Sequence, residues 1–115
     1  MTSVALPRSL DVGSAPAVAE IAYLLRDRAE SIRQEKLWSK DAPTLRRRAQ
    51  DVGFVLEALE GLREAVLCLA ETEDSPSAQD AYYDARDVVL GVMGEVQTMR
   101  LDLQRRAAKL EEASA

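Results

Sequence analysis

From Leu45 to Leu110 the chain carries apolar residues at alternating spacings of three and four, broken once near a proline. A 3.5-residue repeat held over several heptads confines a chain to long helices packed along a seam, and a pleated strand cannot use it. The first run is Leu45, Val52, Val55, Leu59, Leu62, Val66 and Leu69, with Arg48 as a polar interruption. Its outermost heptad positions, Gln50, Glu57, Glu64 and Glu71, are all polar, as an exposed face requires. The second run is Ala78, Tyr82, Ala85, Val89, Val92, Val96, Met99, Leu103 and Leu110, interrupted by Arg106. Between them lies Thr72-Glu73-Asp74-Ser75-Pro76-Ser77. Ser75 before Pro76 is the order of an N-cap and a first helical residue, and Ser77 with Asp80 offers a competing cap. So short a connection returns the second helix antiparallel to the first.

A further helix precedes this hairpin. Ser14-Ala15-Pro16 opens it, and Val18, Ile21, Leu25, Ala29 and Ile32 form its apolar stripe beside Arg28, widened by Leu24. It is expected to end near Trp38. Asp41 then reads as the N-cap of the next helix, with Pro43 in its first turn. Residues 1–13 contain Pro7, Gly13 and aperiodic Val4, Leu6 and Leu10, and read as a flexible arm. The expected fold is an all-α, antiparallel three-helix bundle with a long, coiled-coil-like hairpin. Its helices span about 15–38, 42–72 and 76–112, within one domain over 14–113.

The 115 residues are enough for a core that needs neither metal nor disulfide. A net charge of −5 gives no overall attraction to nucleic acid or an anionic membrane. No apolar run reaches the roughly 18 residues of a membrane helix, and the first residues show no basic stretch followed by an apolar one. With a single cysteine, Cys68, a reducing compartment is the default, so a cytoplasmic location is expected. Cys68 has neither a CxxC partner nor an imidazole to activate it, and reads as a buried structural thiol. Histidine is absent, which removes Ser-His-Asp and Cys-His catalysis, His-containing zinc sites and the Glu-x-x-His di-iron site. No cofactor is expected.

Both hairpin helices carry more apolar surface than one seam uses. Phe54, Leu56 and Leu67 lie off it in the first, and Tyr83, Leu90, Met93 and Leu101 in the second. The earlier helix covers part of this. The remainder predicts self-association as a helical homodimer, with Phe54, Leu67, Tyr83, Leu90 and Leu101 as contact residues. Four glycines, Gly53, Gly61, Gly91 and Gly94, fall inside the hairpin helices. Each costs about 1 kcal/mol relative to alanine there, and close approach of the two helices is the expected return.

Carboxylate pairs remain as possible metal ligands: Glu57-x-x-Glu60 and Glu71-x-x-Asp74, with Asp84-x-x-Asp87 on the second hairpin helix. This resembles the ExxE…ExxD signature of the all-helical MazG-like nucleotide pyrophosphohydrolases, which hold Mg²⁺ with carboxylates from two neighbouring helices. The resemblance implies a Mg²⁺-dependent nucleotide hydrolase. The spacing opposes it: Glu57 and Asp74 would stand about 25 Å apart on one continuous helix, and Asp84 and Asp87 sit nearer the turn than Glu57 and Glu60 do. Glu57 and Asp87 also fall at outward positions, so a non-catalytic chain is expected.

Charge is distributed unevenly. Residues 57–87 carry net −7, residues 33–48 net +4 and residues 100–109 net +3. In an up-down-up bundle the last two meet at one end, opposite an acidic hairpin turn. This basic pole comprises Trp38, Arg46, Arg47, Arg48, Arg105 and Arg106. Arg46, Arg47 and Arg48 crowd a helix N-terminus, where positive charge opposes the helix dipole. The arginines make weak nucleic-acid or phosphate binding the second expectation, although no helix-turn-helix or basic-zipper pattern is present. The first is an interaction or assembly module, an adaptor or small chaperone of bacterial or phage type, that binds itself and an unidentified protein through its apolar faces and basic pole.

Overall fold

A computed structural model describes residues 14–34 and 41–114. They form three helices, α1 (Ala15–Gln34), α2 (Ala42–Thr72) and α3 (Pro76–Ser114), with no strand among the described residues. The arm expected over residues 1–13, and Trp38 with the expected end of the first helix, lie outside the described residues.

Each helix start follows from local chemistry. Ser14 opens α1, its Oγ accepting a hydrogen bond from the Ala17 amide at 3.2 Å. Asp41 is the N-cap of α2 in extended geometry, and its carboxylate accepts from the Thr44 amide at 2.8 Å. α3 starts at Pro76, with the Ser75 carbonyl accepting from the Gln79 amide at 2.9 Å. The Ser75 hydroxyl bonds to the Ser77 hydroxyl, and the competing cap at Ser77 is not used.

α2 and α3 form an antiparallel hairpin. At the turn, the Gln79 side chain donates to the Ala70 carbonyl at 2.9 Å. At the far end Arg46 meets Glu111 at 2.6 Å. α1 runs parallel to α3, held by Arg26–Glu95 at 4.0 Å and Arg33–Asp102 at 3.7 Å. The rod measures 59 × 24 × 16 Å, and its length matches about 58 Å for a 39-residue helix.

One core runs through all three helices. Ile21, Val52, Val55, Leu59, Val66, Val89, Val96 and Leu103 are fully buried in it. At roughly 25 cal/mol per Å² of apolar surface, burying one such side chain contributes about 1.5–3 kcal/mol. α1 is shorter than the hairpin and starts about two helical turns in from the hairpin's turn, with its Arg26 level with Glu95 on α3. Near the turn, Leu69, Ala78 and Tyr82 are therefore only partly buried.

Three expectations are corrected. Cys68 is exposed, because its position on α2 points away from the seam. Leu24 does not widen the core stripe; it is 46 % exposed on the outer side of α1. The glycines do not permit close approach within the chain, since a Cβ built on Gly53, Gly61, Gly91 or Gly94 would meet nothing within 4 Å. All four lie off the buried seam.

Candidate interaction surface

The hairpin has two long sides, and α1 covers one. On the other, α2 and α3 enclose an open groove of about 900 Å³. Its lining from α2 includes Arg46, Ala49, Gly53, Phe54, Leu56, Glu57 and Glu60, and from α3 Met93, Gly94, Gln97, Arg100 and Gln104. No α1 residue contributes. The groove follows from the sequence locally: Gly53 and Gly94 carry no side chain to fill it, and Ala49 is small. Leu56 is buried and Phe54 and Met93 are half-buried, so the lining has an apolar component between polar ends.

The apolar residues expected to make contacts divide by location. Phe54 lines the groove. Leu90 and Leu101 are 42 % and 39 % exposed. They recur with Tyr83, Met93 and Gln97 at helical spacings of three, four and seven along α3, which places them on the shoulder beside the groove. Tyr83 is half-buried beneath the Arg86 guanidinium, 5.1 Å from the ring centre. Leu67 is half-buried on α2, one heptad beyond Glu60. Sequence reasoning placed Met93 among the off-seam apolar residues but missed Gly53, Gly94 and Gln97 as parts of the same surface. The available signal was a second three-four column on α3, offset from the core column. Tyr23, 44 % exposed beneath Arg26, and Leu24 form a separate apolar spot on α1.

The basic pole is partly neutralised. Arg46 is bound to Glu111 at 2.6 and 3.2 Å, and its guanidinium holds the Glu111 carboxyl below its usual range. Arg106 meets Asp102 at 3.1 Å. Arg33 bonds Glu30 through two 2.8 Å hydrogen bonds, which lower the Glu30 carboxyl and raise the Arg33 guanidinium. Arg47, Arg48, Arg100, Arg105 and Lys109 have no carboxylate within ion-pair distance among the described residues. At the other end Glu64, Glu71, Asp74, Asp80 and Asp84 likewise have no cationic partner among the described residues. The Nε atoms of Arg63 and Arg86 are buried there without a hydrogen-bond partner among the described residues.

The carboxylate pairs do not converge. Glu57, Glu60, Glu71, Asp74, Asp84 and Asp87 are all exposed. No group of three or more acidic or thiol side chains among the described residues is placed to hold a metal ion. No helix among them is long and apolar enough to cross a membrane. No family model, curated protein or solved structure was found to match the chain.

Proposed function

We propose that the chain is a non-catalytic helical interaction or assembly module, of adaptor or small chaperone-like type. It works in the cytoplasm by pairing through the hairpin face that α1 leaves open, with a second copy of itself and with a further protein. The observation that carries this reading is the α2–α3 groove flanked by exposed Leu90 and Leu101. Contiguous apolar surface beside a groove mid-way along a helical rod is costly to leave in water, and a partner helix removes that cost. The basic pole takes a secondary part, steering an acidic partner toward the rod end. Its ion pairs with Asp102 and Glu111 weigh against nucleic acid as the main partner, because those carboxylates would repel phosphate.

Sedimentation equilibrium of the unmodified chain at micromolar concentrations tests the reading. The expected result is a mass that rises with concentration from the 12.7 kDa monomer toward twice that value. A monomer at every concentration contradicts self-association.

A further inference from the structure

The charge layout along the open face specifies how a second copy lies on it. On the α2 lip, Arg46 stands at one end of a three-four column that continues through Glu57, Glu60, Glu64 and Glu71. Net charge over residues 57–87 is −7. Arg47, Arg100, Arg105 and Lys109, which have no carboxylate partner among the described residues, supply positive charge at the opposite end.

Resting on the self-association reading above, we infer that two copies pair face to face and antiparallel, the acidic turn of each lying over the basic end of the other. A two-fold axis crosses the middle of the face, perpendicular to the helices. It lays α2 on the partner's α2 and α3 on the partner's α3. Near the axis, Leu90 meets the partner's Met93, and the missing side chain of Gly94 lets the two α3 helices approach. This gives Gly94 a role that packing within one chain does not, since no atom lies within 4 Å of a Cβ built there.

The parallel alternative puts the two acidic turns together, each with five or more carboxylates that lack a cationic partner among the described residues. Across an interface these lie within a Debye length, about 8 Å at physiological salt, so the repulsion is not screened away. The antiparallel arrangement replaces that repulsion with attraction at both ends, and its isologous symmetry closes the assembly at two copies. The face is large enough: a rod 59 Å long and 24 Å wide exceeds the roughly 800 Å² per partner of a standard stable interface.

The two arrangements differ in the separation of the turns. A nitroxide label at Ser75→Cys, in a Cys68→Ser background, reports it by pulsed dipolar spectroscopy. The antiparallel pair places the two labels about 50 Å apart, from 1.5 Å per residue on either side of the axis. A distance below about 30 Å at dimer mass overturns the antiparallel arrangement and leaves self-association standing. Monomer mass with no dipolar coupling overturns both. A second measurement needs no substitution: the dimer dissociation constant rises severalfold between 50 and 500 mM NaCl if unlike ends meet. A constant that falls with salt contradicts the arrangement.

Discussion

Asp41 caps the start of α2. Its carboxylate sits below its usual range, mainly through the hydrogen bonds from Thr44 and then through the nearby Arg47 and Arg48 charges. Glu30 and Glu111 are lowered in the same direction by Arg33 and Arg46. A carboxyl lowered by folding stabilises the folded state above its unfolded value, about 4, and that contribution disappears as pH falls through the lowered folded value. Thermal melts should therefore be flat between about pH 7 and 5 and fall below about pH 4. Asp41→Ala should lower the melting temperature more at neutral pH than at a pH below the lowered folded value of Asp41, where the wild-type cap has lost its charge. Equal losses at both would show that the charge on Asp41 does not matter. Residue type was a poor guide at Cys68. Free cysteines are usually buried, but burial here is set by heptad position, and that position faces outward.

At the level of elements, the hairpin was legible because Leu45, Val52, Leu59 and Val66 repeat at seven-residue intervals with nothing to disguise them. Pro43 and Pro76 mark both helix starts for a reason that needs no tertiary context: their missing amides are unneeded in a first turn. The groove was not legible in the same way. Apolar columns on α2 and α3 show that the hairpin has surplus on both sides, but not which side α1 takes. That choice is visible only in contacts such as Arg26–Glu95 and Arg33–Asp102, between residues far apart in sequence. The glycines show the same limit. Their spacing allowed a helix crossing, and only their placement off the seam excludes one within the chain. Gly61 is exposed, with open space around it and no place in the groove lining. Gly61→Ala should stabilise the fold by about 0.5–1 kcal/mol, seen as a higher denaturation midpoint with an unchanged slope. No gain would mean that Gly61 relieves a strain or contact not visible in the monomer.

As a whole molecule, the chain is a rod with one side finished and one side open. α1 completes the core on its own side, and Val52, Leu59 and Val96 are fully buried without help from another chain. A charge placed on the open side is therefore expected to leave this core packed. Two exposed leucines separate the claim about that face from a general effect of surface hydrophobicity: Leu90 stands beside the groove, and Leu24 stands on the outside of α1 with similar exposure. Measuring sedimentation equilibrium for Leu90→Asp and Leu24→Asp side by side tests the open face most directly. Leu90→Asp should be a monomer at concentrations where the wild type and Leu24→Asp are dimers, with all three equally helical by circular dichroism. Dimerisation retained by Leu90→Asp and lost by Leu24→Asp would contradict it.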